Sequence, residues 1–379
     1  MSLRIALVEP YLGGSHRAWA EGYARSSRHE VVVLSHDARF WKWRMQGSYL
    51  TLAAQFAGAV EGGGPFDVVL ATSMLHLPAF LGAVRAHLGD AATVVYFHES
   101  QLTYPLSARD RPDETYGMIN WGSAAVADLV LFNSGFHRDT FFAAVPALLK
   151  RFPDQRHGAM VDEVRSRSYV LEVGVDLQRF DGVAPADVGP PVILWNQRWE
   201  FDKGPAELAA ALGELVRRGR DFRVVLTGER FVGQPDGFAA LPGALGERLA
   251  HFGFAEDDDY VRLVCAADIV VSTALQEFFG ISITEACYAG AFPVVPNRLV
   301  YPERIPAALH GRCLYEAGGL VDALDWALAH PVERAAAVPL LRGEMARFDW
   351  SVMASRYDGL LEAPHRPDPP VRPATGTGA

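Results

Sequence analysis

Short, nearly unbroken apolar runs alternate with stretches of helical periodicity along most of the chain. Residues 4–8, 30–34, 67–71, 93–97, 128–132 and 168–171 are dominated by Val, Leu, Ile and aromatics, without a polar residue at every second place. Such runs predict strands buried on both faces, as in a parallel sheet covered by helices. Glycine and proline then dominate 182–191 with no periodicity, which reads as a linker. The alternation restarts with strands predicted at 192–195, 223–227, 268–273 and 292–295, and with helices after about Pro205 and after Gly280. Two successive units of this kind predict an α/β chain of two doubly wound, Rossmann-like domains facing across a cleft, with ligands at the C-terminal strand ends. The predicted boundaries are 1–183 and 184–362, with room for the last helix to cross back. The proline-rich, apolar-poor segment 363–379 is expected to be a disordered tail. No repeat of 20 to 50 residues is visible.

The turn and helix after the 268–273 run carry Glu277 and Glu285, eight positions apart around Gly280. A glycine turn leading from a strand into a helix aims the helix N-terminus at an anion. Two acids beside it suit a nucleotide-sugar, whose sugar and ribose hydroxyls are donors; the plainer alternative is a connection with a capping glutamate. The loop after the 192–195 run holds Arg198 and Lys203 just before Pro205. These cations, with the helix end, suit a diphosphate, or else pair among themselves on the surface. In the first domain, Gly13 and Gly14 follow the first strand and allow close backbone approach to a ligand, or form a plain structural turn. His98, at the end of the 93–97 run, points into the cleft or serves the fold. No second histidine or cysteine stands near it in sequence at ligand spacing, so no metal site is expected.

The segment Arg39-Phe40-Trp41-Lys42-Trp43-Arg44 interleaves cations with aromatics. It is suited to a nucleic-acid backbone with rings on unpaired bases, or to a core-packed tryptophan pair with its cations in solvent. Half of the 379 residues are hydrophobic and 21% are charged, an ordinary globular composition. The net charge of −10 argues against indiscriminate coating of nucleic acid while leaving a local basic groove open. Three scattered cysteines fit a reducing compartment. The start of the chain does not read as a signal peptide, and no apolar run reaches the ~18 residues of a membrane span. A cytoplasmic location is expected.

Taken together, Glu277 and Glu285 (E-x7-E), Arg198 with Lys203, and His98 resemble family 4 of the retaining glycosyltransferases, of GT-B fold. A narrower set resembles the tRNA-queuosine α-mannosyltransferase group. It comprises Gly13-Gly14-Ser15-His16, Lys42-Trp43-Arg44, Tyr96-Phe97-His98-Glu99 with Gln101, Tyr104 and Pro105, and Phe132-Asn133-Ser134. Arg198-Trp199-Glu200 with Asp202-Lys203, Glu277-Phe278-Phe279-Gly280 and Leu299-Val300-Tyr301-Pro302-Glu303 extend it. Gln197 and Gln276 depart from it, standing where the group tends to carry histidine. The resemblance implies transfer of mannose from GDP-mannose to queuosine in a tRNA anticodon with retention, without a cofactor or metal and without a membrane or obligate protein partner. It places His98, Glu277, Arg198 and Lys203 in catalysis. Donor binding would fall to Gly13, Gly14, Arg198, Lys203, Gly228, Glu277, Phe279, Gly280, Ile281 and Glu285. Acceptor or tRNA contacts would fall to His16, Arg39, Lys42, Trp43, Arg44, Glu99 and Gln101. Fixed cations would then stabilise the departing diphosphate, and the departing phosphate would take the acceptor proton on the front face. A glycosyltransferase of the same fold acting on a small molecule, lipid head group or polysaccharide is the competing reading, which the acidic charge favours. A binding protein without catalysis is the third.

Overall fold

A computed structural model describes residues 2–105, 113–154, 156–183, 189–228 and 238–362. The expected tail at 363–379 and the middle of the expected linker, 184–188, lie outside the described residues. Strands β1 (Arg4–Leu12), β2 (Glu30–Asp37), β3 (Val68–Thr72), β4 (Ala92–Phe97), β5 (Leu129–Phe132) and β6 (Ser168–Val170) form one sheet, in the order β2-β1-β3-β4-β5-β6. Strands β7 (Val192–Asn196), β8 (Arg223–Thr227), β9 (Leu249–Gly253), β10 (Ile269–Val271), β11 (Phe292–Pro296) and β12 (Leu314–Tyr315) form a second, ordered β12-β11-β10-β7-β8-β9. The pairings within both sheets are parallel. In each sheet the first strand has neighbours on both sides that are reached in opposite directions. The switch points therefore fall between β1 and β3 and between β7 and β10, where open α/β sheets bind ligands.

The unbroken apolar runs are explained by burial on both faces. Ile5, Leu7, Val68, Leu70, Val94, Tyr96, Leu129 and Leu131 enter one cluster, continuous with the second domain and the last helix. Their alternates Ala6, Val8, Val69, Ala71, Val95, Phe97, Val130 and Phe132 enter the other, on the opposite face of the first sheet. Sequence periodicity missed β9 and β12. The first is only partly buried along its length and the second is two residues long, so neither shows a sustained apolar run. The first strand also extends to Leu12, and its helix begins at Gly14 instead of near Arg17, so the glycines form a tight strand-to-helix junction instead of an open loop.

The final helix, Trp350–Glu362, crosses back onto the first domain. Trp19 Nε1 donates to Tyr357 Oη at 2.9 Å, Tyr357 Oη donates to Tyr96 Oη at 3.0 Å, and Tyr23 Oη donates to Asp358 at 3.0 Å. The Trp350 indole fills space left by two glycines: a Cβ on Gly22 would come within 2.2 Å of it and one on Gly174 within 2.4 Å. Among the described residues no helix is long and apolar enough to cross a membrane.

Candidate active site

The second sheet brings its two charged loops together because they leave adjacent strands, β7 and β10, at the switch point. Gly204 ends the Phe201–Lys203 turn in the left-handed region at φ +63, where a Cβ would stand 2.2 Å from the Thr273 carbonyl oxygen. Only glycine lets the first loop lie this close to the end of β10. Thr273 Oγ1 donates to the Lys203 carbonyl at 2.7 Å, and Leu275 N–H donates to that of Asp202 at 2.7 Å. Gly228 has a comparable role at the end of β8, since a Cβ there would stand 1.9 Å from the Gln197 carbonyl.

Lys203 is buried by this closure, and its Nζ donates to the Gln276 carbonyl at 2.9 Å and to Glu277 Oε2 at 3.2 Å, with Asp202 at 3.4 Å. Glu277 Oε1 accepts the N–H groups of Gly280 at 3.0 Å, Phe278 at 3.2 Å and Phe279 at 3.3 Å. Burial alone would raise this carboxyl, but Lys203 and the Phe279 and Gly280 amides outweigh it and hold it below the usual carboxylate range. Arg198 stays exposed in the cleft, 3.4 Å from Glu200 and 3.4 Å from Tyr104 Oη. Ile281 opens the helix Ile281–Ala289, and Glu285 lies buried one turn on. Arg179 donates to one of its oxygens at 2.7 Å and Tyr260 Oη to the other at 2.6 Å. Burial pushes Glu285 upward, and Arg179 and Tyr260 only partly offset this.

On the first domain, Gly13 is extended and packs with a would-be Cβ only 2.4 Å from Ala38 Cβ, while Gly14 takes φ +49. This junction turns His16 back over the strand, where its Nδ1 lies 2.9 Å from the fully buried Glu9 carboxylate. The His98 ring stands 4.4 Å from that of His16 and edge-on to Trp19 at 4.5 Å, with Tyr96 at 4.8 Å. Burial, with His16 and His137 nearby, holds His98 well below the usual histidine range, so it is neutral. Asn133 fixes the turn by donating to the His98 carbonyl at 2.8 Å, and Gln101 donates to Glu99 at 3.1 Å. Contrary to the expectation from sequence spacing, His98 has a second histidine beside it, His16. Glu9, His16 and His98 each offer a ligand atom within 4.8 Å of the others, because β1 and β4 end on the same edge of the sheet. The Nδ1 of His16 is hydrogen-bonded to Glu9, which gives both groups a partner without a cation.

The two halves meet directly. Tyr104 Oη donates to Asp202 at 3.0 Å, and the His137 ring stacks on Phe278 at 3.8 Å. Glu303 accepts the Gly135 N–H at 3.0 Å and the Phe136 N–H, at the start of the helix Gly135–Leu149. Arg304, buried beside it, donates to the Phe279 carbonyl at 3.0 Å. The basic-aromatic segment divides between its two readings. Trp41 packs on Tyr116 at 5.0 Å in a small cluster with Met45, whereas Trp43 is 61% exposed and Phe40 78% exposed. Arg39 and Lys42 are exposed, and Arg44 donates to the Asp37 carbonyl at 3.3 Å.

The sequence did not single out Glu9, Arg179 and Tyr260, and it showed Asp202 only as part of a motif, without a role. Glu9 had a signal, being an acid inside an apolar strand; the others show their place only through partners far along the chain.

Two parallel six-stranded sheets facing across a cleft, with charged loops at the switch points, define a glycosyltransferase of the GT-B fold. HepE of Anabaena in complex with UDP and glucose superposes with a TM-score of 0.67 at 18% identity, covering 95% of this chain and 100% of that one. The catalytic domain of starch synthase IV from Arabidopsis thaliana superposes at 0.72 with 11% identity, covering 96% and 100%. Residues 4–175 match the tRNA-queuosine alpha-mannosyltransferase N-terminal family, and residues 178–338 match the glycosyl transferases group 1 family. The chain is 34% identical over 312 residues to the tRNA-queuosine alpha-mannosyltransferase of Drosophila melanogaster, covering 80% of this chain and 81% of the relative. It belongs to the tRNA-queuosine alpha-mannosyltransferase family. A phosphatidyl-myo-inositol mannosyltransferase of Mycobacterium tuberculosis is 27% identical over 200 residues, 50% of this chain and 52% of the relative.

Proposed function

We propose that the protein transfers mannose from GDP-mannose to queuosine in tRNA, with retention, in the cytoplasm. The observation that carries this reading is the match of the whole first domain, the side opposite the donor loops, to the tRNA-queuosine alpha-mannosyltransferase N-terminal family. In this reading Arg198 and Lys203 hold the diphosphate, with Gly228 and Gly204 making room for their loop. Glu285 meets the nucleotide ribose. Glu277 meets the sugar hydroxyls through Oε2, since the Phe279 and Gly280 amides are engaged by Oε1. This modifies the expectation that those amides, with Ile281, bind the sugar directly. His98 faces the reacting sugar as a neutral hydrogen-bonding group, and Gly13-Gly14 lie under the diphosphate. His16, Glu99 and Gln101 line the acceptor side, and Arg39, Lys42, Trp43 and Arg44 reach along the RNA.

Charge developing on the departing diphosphate is met by Arg198 and Lys203, so turnover needs no metal ion. Incubation of the protein with labelled GDP-mannose and tRNA containing or lacking queuosine tests the reading. Label on the queuosine-containing tRNA alone is the expected result. Donor hydrolysis without transfer to either tRNA refutes the acceptor.

A further inference from the structure

Glu9 is fully buried in a strand whose other buried positions are apolar or proline. Burying a carboxylate is costly unless it is hydrogen-bonded, and Glu9 accepts the Tyr11 N–H at 2.8 Å and the His16 ring at 2.9 Å. A carboxylate only accepts, so the proton of the second contact sits on Nδ1, and Nε2 is the free end of the ring. His16 rides on the first turn of its helix at the β1/β3 switch point, opposite the Arg198 loop. The groups facing it are Glu9 and Tyr11 from β1, His98 and Glu99 from the turn after β4, and Arg198 from the other domain. Two carboxylates beside one guanidinium disfavour a second phosphate there and favour hydroxyl donors.

We propose that Glu9 and His16 form the acceptor-reading pair of this enzyme. His16 Nε2 takes a hydrogen bond from a hydroxyl of the acceptor, and Glu9 is a positioning residue that fixes the ring and its tautomer. The acceptor class is a hydroxylated group, with His16 holding one of its hydroxyls. The attacking oxygen forms its bond to the anomeric carbon as the bond to the diphosphate breaks, and its proton passes to the departing phosphate oxygen. The pair rests on the glycosyltransferase reading above.

Protonation turns Nε2 from acceptor to donor, so the hydroxyl must turn to accept and its own proton loses the partner that oriented it. Burial opposes the imidazolium, but Glu9 and Glu99 outweigh burial and Arg198, so His16 titrates above the usual histidine value. The acceptor kcat/KM therefore falls on the acid side, and Glu9→Gln moves that limb to lower pH.

The test is steady-state transfer from labelled GDP-mannose to queuosine-containing tRNA by the wild type, His16→Ala and Glu9→Gln, with the GDP-mannose Kd measured alongside. His16→Ala is expected to lower kcat/KM for the tRNA about tenfold or more, with donor Kd unchanged. Glu9 lies in the core and His16→Ala leaves its carboxylate without the ring partner, so thermal melts accompany both variants and the kinetics are compared below the melting transition; His16→Asn, which keeps a donor for Glu9, carries the test if His16→Ala does not fold. Unchanged acceptor kinetics with an unmoved acid limb overturns the pair. So does a loss confined to donor affinity, or one equivalent of bound zinc that His16→Ala releases. Absence of wild-type transfer to this tRNA overturns the function reading instead.

Discussion

Removing the Lys203 ammonium tests the donor loop most directly. In Lys203→Ala the Gln276 carbonyl loses its donor at 2.9 Å, and Glu277 and Asp202 lose their cation at 3.2 and 3.4 Å. If Lys203 meets charge on the departing diphosphate, its loss lowers kcat by about 100-fold or more. That corresponds to about 2.7 kcal/mol of transition-state stabilisation. The same change acts on stability, since removing one member of a buried pair costs roughly 3–5 kcal/mol. The 19% exposure of the Glu277 side chain places the effect at the lower end. The two effects separate by pH. In the wild type the depressed Glu277 pKa adds stability above the unfolded value, and that stability is lost as pH falls through the folded value. Without Lys203, burial drives this carboxyl up, so the stability deficit of the variant is largest at neutral pH, begins to shrink as pH falls through the raised value, and goes on shrinking through the depressed wild-type value. Initial rates at saturating GDP-mannose and tRNA give kcat, and thermal melts from pH 7 downward give stability. A variant that stays folded at the assay temperature and turns over within a few-fold of the wild type refutes the assignment.

Four further outcomes follow from the same geometry. Glu303→Gln removes the anion from the start of the Gly135–Leu149 helix, an interaction of about 0.3–1 kcal/mol, and sets an amide NH2 against one of the two backbone N–H groups that the carboxylate accepts. The domains should open, seen as a larger radius of gyration by small-angle scattering with a raised KM for donor; an unchanged radius and KM counts against a clamp. Alanine at both Lys42 and Arg44 should reduce the slope of log affinity for tRNA against log salt by about 1.4, two contacts at ~0.7 each. Trp43→Ala should weaken tRNA binding without lowering the melting temperature, while Trp41→Ala, which loses its Tyr116 contact, should lower it; the reverse pattern would dismiss the exposed ring as a stacker. Chelation with EDTA should leave turnover unchanged, and activity restored only by a divalent cation would move the charge-stabilising role from Arg198 and Lys203 to a metal.

Much of the fold was written in local pattern. A strand buried on both faces must be apolar at successive positions, so ten of the twelve strands announced themselves as short unbroken runs. Leu249–Gly253 and Leu314–Tyr315 did not, because partial exposure and brevity remove the signal. The charged loops after β7 and β10 were legible for a related reason. Their charges lie within a few residues of strand ends, and in an open α/β sheet strand ends are where ligands sit.

The pairings within the site were not legible, because they depend on which strand ends become neighbours. Glu9, His16 and His98 meet because β1 and β4 finish on one edge of the sheet and the Gly13–Gly14 junction starts its helix early enough to fold His16 back. Tyr104 meets Asp202, and Glu303 meets the Gly135–Leu149 helix, only when the two domains close on each other. Trp41 and Trp43 look equivalent in sequence, yet one is packed and the other exposed, because a helix turns residues two apart to different sides. The chain alone therefore determined two α/β units, a diphosphate-suited cation pair and a spaced pair of acids. Tertiary structure decided which of these charges neutralise one another, which remain open to a ligand, and that a buried glutamate stands behind His16. Local sequence sets periodicity and loop chemistry, while contacts between residues tens to hundreds of positions apart are set by sheet order and domain closure.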